Sequence, residues 1–302
     1  MSFSTYLGYF LGGYTALTAF FYLLSPMSSK AGFVARCLAS YICLLISAAY
    51  GAVVSVALSC VGHRQIAQWT TGRLFKYTMA ATTGVTFEVI DPKGYLNKVR
   101  PAVFVGNHQT ELDVLMLGCM FPKYCSVTAK SSLKKLPFLG WFMTLSGSVF
   151  IDRKNSKDAR AAMSGAAEQI KTLRQSVYMF PEGTRSYAKE PMLLPFKKGA
   201  FHLAVQAQVP IVPVVAANYS DTLYIKGMVF KSGKIPCKGL RILAVLDPIP
   251  TTGLTPADVD ELCNKTRELM LKEIINLTYA TRGQEAPIAA STIKASGVDL
   301  KQ

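Results

Sequence analysis

Acidic residues are absent from the first 87 positions of this 302-residue chain; the first is Glu88. Through residue 62 the only acidic or basic side chains are Lys30 and Arg36. So little charge is unusual for a soluble domain, and the segment reads as membrane-associated. Histidine is also scarce. His63, His108 and His202 share no ligand spacing, so metal chemistry has no support and no metal or other cofactor is expected. The seven cysteines contain no C-x-x-C pair, and an odd number argues against a disulfide framework. Cys37, Cys43 and Cys60 lie inside apolar runs and read as buried small hydrophobes in a reducing compartment. No zinc-finger spacing, RNP-like motif or long basic helix accompanies the net charge of +15. Nucleic acid is therefore the weaker partner, and anionic headgroups of a lipid bilayer the stronger. No internal repeat is visible.

What is present begins with two uncharged stretches, Phe3 to Ser29 and Cys37 to Gly62. As helices of about 25 residues each spans roughly 37 Å, enough to cross a ~30 Å hydrocarbon core. The first lacks a basic n-region and is too long for a typical h-region, so a cleaved signal peptide is not expected. The short connector, Ser28 to Arg36, predicts an antiparallel hairpin that either spans the bilayer or dips into one leaflet. Gly8, Gly12, Gly13, Ser40 and Ser47 would let its helices pack closely. Arg64, Arg73 and Lys76 follow without an acid, which places the body after them in the cytosol. Lys30 and Arg36 oppose that orientation.

From Gly84 onward short strands alternate with helices. Strands are expected at Val85–Ile90, Ala102–Val105, Cys125–Thr128, Val149–Ile151, Val177–Phe180, Ile211–Val215 and Leu240–Leu246. Helices are expected at Glu111–Met120, Ser156–Arg174, Lys198–Gln208 and Ala257–Leu277. This alternation predicts an α/β fold, a mostly parallel sheet flanked by helices and preceded by the membrane hairpin. The expected divisions are a hairpin over 1–62, an α/β domain over 63–280 and a loose tail over 281–302.

The chemistry concentrates in Val103-Phe-Val-Gly-Asn-His108-Gln-Thr-Glu-Leu-Asp113. An apolar strand ends at Gly106 and a helix begins near Glu111, so His108 sits at a strand-to-helix turn. Asp113, in the first turn of that helix, can fold back to the imidazole, fix its tautomer and support general-base catalysis. Alone, such a pair is more often structural. Asp152-Arg153 after Gly147-Ser-Val-Phe-Ile, and Phe180-Pro-Glu182-Gly183-Thr184-Arg185, place further charges at strand ends. Each arginine reads either as a surface ion pair or as part of one anion site. Lys130 to Met143 mixes lysines with Leu133, Phe138, Leu139, Trp141 and Phe142, and reads as an interfacial surface or as a core helix with a basic rim.

With Pro210-Ile-Val-Pro213-Val-Val, these stretches resemble the four sequence blocks of the glycerolipid acyltransferase family: N-H-x-x-x-x-D, G-x-x-F-I-D-R, F-P-E-G-T-R and V-P-V-V. Order and spacing agree over about residues 60 to 275, and the likeness is greatest to fungal 1-acylglycerol-3-phosphate acyltransferases. The resemblance implies that acyl-CoA, a co-substrate rather than a cofactor, acylates lysophosphatidic acid. It implies His108 as base and Asp113 as its orienter. Arg185, Lys130 and Arg153 would hold the phosphate, and Glu182, Gly183 and Thr184 would shape the acceptor pocket, Glu182 through the glycerol hydroxyl. Pro213 to Val215 would be structural or line the acyl site. Glu111 has no assigned role. Localisation at the endoplasmic reticulum or a lipid-droplet-associated membrane follows from the same resemblance. No G-x-S-x-G elbow occurs and no cysteine adjoins a block, so neither a lipid hydrolase nor an acyl-enzyme has a nucleophile. Another lysophospholipid acceptor, or a non-catalytic lipid-binding protein, stays open.

Overall fold

The computed structural model describes residues 2–152, 155–235 and 243–286. In chain order the elements are α1 (Phe3–Leu24), α2 (Ser29–Cys60), α3 (Ala67–Thr83), β1 (Val85–Phe87), β2 (Val89–Ile90), α4 (Tyr95–Lys98), β3 (Val103–Gly106), α5 (Asp113–Met120), β4 (Cys125–Lys130), α6 (Leu139–Leu145), β5 (Val149–Ile151), α7 (Ser156–Leu173), β6 (Ser176–Met179), α8 (Gly199–Ala207), β7 (Ile211–Ala216), β8 (Leu223–Tyr224), β9 (Val229–Phe230), β10 (Gly233–Ile235), β11 (Leu243–Val245) and α9 (Val259–Thr281).

Seven strands form one sheet in the order β2-β11-β7-β3-β6-β4-β5. Only the β11–β7 pair is antiparallel, so the mostly parallel α/β sheet expected from the alternation is present. Every residue of β3, β6 and β7 is buried, as the continuous apolar runs of a covered parallel sheet require. Helices α7, α8 and α9 pack in a row against these central strands, while α3 and α5 pack on each other and reach β1 and β4. Because β3, β6, β4, β5 and β7 run in parallel, their C-terminal ends share one sheet edge.

Several local expectations differ from the structure. The stretch Val85–Ile90 is two strands, not one. Val85–Phe87 pairs with β10 and Val89–Ile90 with β11, in different sheets. Residues 240–242 of the Leu240–Leu246 strand and residues 287–302 of the tail lie outside the described residues. Lys30 and Arg36 are not in the connector but inside α2, whose helix starts at Ser29 with Ser28 as its N-cap. There Arg36 donates to the Thr83 and Phe230 carbonyls, which fastens α2 to the body. Cys43 is buried, but Cys60 is exposed at the end of α2 and Cys37 half-buried.

Both α1 and α2 are long and apolar enough to cross a membrane. Gly8, Gly12 and Gly13 face open space and form no close seam with α2. The tight approach is elsewhere. A Cβ on Gly51 would stand 2.5 Å from the Phe142 ring, so α2 lies directly on α6. The buried stripe of α2 is small throughout (Ala31, Gly32, Ala35, Ala39, Ser47, Ala48, Gly51 and Ser55), which lets it run closely along α3.

Candidate active site

His108 leaves the end of β3 on a loop tied to its neighbours on both sides. The Asn107 amide donates to the Ala216 carbonyl at 3.0 Å and accepts the Ala216 N–H at 2.8 Å, bonding the loop to the end of β7. On the β6 side, Ser186 N–H donates to the His108 carbonyl and Tyr187 N–H to that of Gln109. The Phe180 ring stacks on the imidazole at 4.0 Å.

Asp113 opens α5 and is 1% exposed. Its Oδ2 lies 2.6 Å from His108 Nδ1 and accepts the Gln109 and Thr110 N–H groups at 2.6 and 3.2 Å. Its Oδ1 accepts the Tyr219 hydroxyl at 2.5 Å. An ionised carboxylate offers only acceptors, so the Nδ1 proton belongs on the His108–Asp113 axis and Nε2 presents a lone pair. Burial, reinforced by the Asp113 charge, pushes the Tyr219 hydroxyl well above its ordinary range, which keeps it a donor.

Glu182 is 3% exposed. Its two oxygens accept the His108 N–H at 2.7 Å and the Leu194 N–H at 2.9 Å. Burial pushes its carboxyl up to about 7 despite those two bonds. Through these two backbone bonds Glu182 braces the His108 loop. Gly183 has φ +69°, a left-handed turn beside which the Lys197 side chain runs; a Cβ there would lie 3.0 Å from Lys197 Cδ. Thr184 is exposed.

Arg185 Nη1 donates to Glu111 Oε1 at 2.9 Å, and the Tyr187 hydroxyl donates to the same oxygen at 2.6 Å. Lys130, exposed, ends β4 on the shared edge. Arg153 lies outside the described residues, although Asp152 follows β5 at that edge. The fold therefore gathers His108, Asp113, Glu182, Gly183 and Arg185 in one place and sets Lys130 along the same rim. Sequence reasoning missed Tyr219, Glu111, Tyr187 and Lys197. Tyr219 stands 106 positions from the carboxylate it meets, a pairing no local pattern reveals.

Residues 89–217 match the Acyltransferase family. The chain is 41% identical over 231 residues to a 1-acyl-sn-glycerol-3-phosphate acyltransferase of Saccharomyces cerevisiae, covering 76% of this chain and 74% of that protein. It is 38% identical over 232 residues to human 1-acyl-sn-glycerol-3-phosphate acyltransferase alpha, covering 77% and 79%. The crystal structure of the 1-acyl-sn-glycerophosphate acyltransferase of Thermotoga maritima superposes with a TM-score of 0.58 at 21% identity, over 86% of this chain and 94% of that one, and so shares the fold. On these identities the chain belongs to the 1-acyl-sn-glycerol-3-phosphate acyltransferase family.

Proposed function

We propose that this acyltransferase moves a fatty acyl group from acyl-CoA to the free hydroxyl of 1-acylglycerol-3-phosphate, giving phosphatidic acid. The observation that carries the mechanism is the 2.6 Å contact of His108 Nδ1 with a buried Asp113. Nε2 takes the hydroxyl proton as the oxygen attacks the thioester carbonyl. The tetrahedral intermediate then collapses, the C–S bond breaks, and the imidazolium returns the proton to the departing thiolate. A thioester is already activated, so a base and good positioning suffice. Asp113 steadies the imidazolium. Arg185 and Lys130, with Arg153, hold the acceptor's phosphate, since a monoester dianion at a half-buried strand end needs charged donors.

Arg185→Ala tests the acceptor assignment. Its apparent KM for lysophosphatidic acid rises more than that for a lysolipid without a phosphate monoester. Equal losses on both acceptors would remove Arg185 from phosphate recognition.

The exposed faces support a membrane setting. α1 is exposed along most of its length, and α2 turns Tyr41, Leu45, Val53 and Val56 outward. Leu136, Phe138, Trp141 and Leu145 are exposed beside Lys134 and Lys135, which favours the interfacial reading of this segment over a core helix. With α2 fastened to the body through Arg36 and lying on α6 at Gly51, we favour a hairpin immersed from the cytosolic side of an endoplasmic-reticulum-type membrane. Three sequons begin at Asn218, Asn264 and Asn276. Asn218 is buried with its amide bonded to the Ala188 and Glu190 carbonyls and Asn276 is half-buried, so the exposed Asn264 is the most informative site. In a eukaryotic host Asn264 stays unmodified. A glycosidase-sensitive mass shift abolished by Asn264→Gln would put the body in the lumen.

A further inference from the structure

Glu111 lies between the base and its orienter in sequence and takes no part in the chemistry above. Its carboxylate nevertheless engages the residue assigned to the phosphate. Arg185 Nη1 donates to Glu111 Oε1 at 2.9 Å and to the Tyr187 hydroxyl at 3.3 Å, and that hydroxyl donates back to the same Glu111 oxygen at 2.6 Å. Arg185 Nε joins none of these bonds. It is buried and has no hydrogen-bond partner among the described residues.

A guanidinium grips a phosphate best through two parallel N–H groups. Here Nη1 is already taken by Glu111 and Nε is buried, so neither edge of the guanidinium, Nη1 with Nη2 or Nε with Nη2, offers a free pair. The arrangement is also lightly held. The side chains of Arg185 and Glu111 are 36% and 48% exposed, and ion pairs at such exposure are weak. A buried N–H without an acceptor adds a cost to this arrangement.

We propose that Glu111 is an affinity-setting residue, an internal anion that competes with the acceptor's phosphate for Arg185; this rests on Arg185 holding that phosphate. Only the fraction of molecules with Arg185 released binds the acceptor at full strength, so Glu111 weakens apparent affinity by that fraction. The same factor applies to every anion that uses Arg185, because each must displace the same carboxylate. Glu111 therefore sets how tightly the acceptor is held without ranking one phosphate-bearing acceptor over another.

Glu111→Gln removes the charge and keeps a side chain of the same shape able to bond Tyr187. Its KM for lysophosphatidic acid falls by roughly two- to fivefold, the size expected for losing a weak exposed competitor. The change appears in KM and not in kcat. Inorganic phosphate, used as a competitive inhibitor, becomes more potent by the same factor. In an Arg185→Ala background the effect of Glu111→Gln disappears. A KM that rises or stays level in the single variant would overturn the proposal, because Glu111 would then be orienting Arg185 or doing nothing to it. An effect that persists without Arg185 would overturn it too. Failure of the underlying assignment looks different: there, Arg185→Ala by itself penalises acceptors with and without a phosphate monoester alike.

Discussion

His108→Ala lowers turnover by at least ~10²–10⁴ while the protein keeps its fold, because on the mechanism proposed the acceptor hydroxyl loses the base that takes its proton. The side chain makes one polar contact among the described residues, the 2.6 Å bond to Asp113, and is otherwise held by the stacked Phe180 ring. The loop does not depend on the imidazole. Its conformation rests on main-chain bonds and on Asn107, Glu182 and Asp113, all of which survive the substitution. Folding is checked by a cooperative denaturation transition retained in detergent, and turnover by labelled acyl-CoA. A variant that keeps near-normal turnover would end the base mechanism.

Asp113→Asn fails in a different way, losing both rate and stability. Oδ2 accepts from His108 and from two backbone N–H groups, and Oδ1 from Tyr219. An asparagine amide keeps an oxygen for the His108 set only by turning its NH2 group to Tyr219, whose hydroxyl then loses its carboxylate acceptor and must turn to Thr110. Losing the charge that these buried donors share costs ~1–3 kcal/mol, and the variant is less stable by about that much. Its turnover falls by at least ~10²-fold, because the imidazole loses the partner that fixes its tautomer. A variant as stable as the parent would show that the carboxylate contributes nothing as a hub. A variant that lost stability but kept its turnover per folded molecule would limit Asp113 to a structural role.

The difference between these two residues also shows what the sequence made readable. His108 and Asp113 are five positions apart across a strand-to-helix turn, and short spacing on a known local geometry allows a contact to be foreseen. Arg185 was foreseen as a cation at a strand end, but its partner Glu111 was not, since loops after β3 and β6 meet only once the sheet order is known. Glu182 was expected to shape the acceptor pocket. Its orientation follows from two backbone N–H groups, His108 and Leu194, that no pattern of side chains advertises.

The fold shows the same division. The buried strands β3, β6 and β7 announce themselves as apolar runs. Helix α3 does not. It carries five threonines, Thr70, Thr71, Thr78, Thr82 and Thr83, poor helix formers that hide its period. Their hydroxyls turn back onto carbonyls three or four residues earlier, and the helix is held by packing on α2 and α5. The close approach at Gly51 was equally hidden, because the residue it accommodates, Phe142, lies far along the chain. Glycines in α1 looked like better candidates for a seam and face open space instead.

The central claim is direct transfer from acyl-CoA to a phosphate-bearing acceptor, with no acyl-enzyme on the way. The most direct measurement follows labelled acyl-CoA with purified protein, with and without lysophosphatidic acid, and tracks the label and released CoA together. The account predicts label in phosphatidic acid, one CoA per ester formed, and negligible CoA release when the acceptor is omitted. Steady release of labelled free fatty acid without acceptor, or label trapped covalently on the protein, would contradict it.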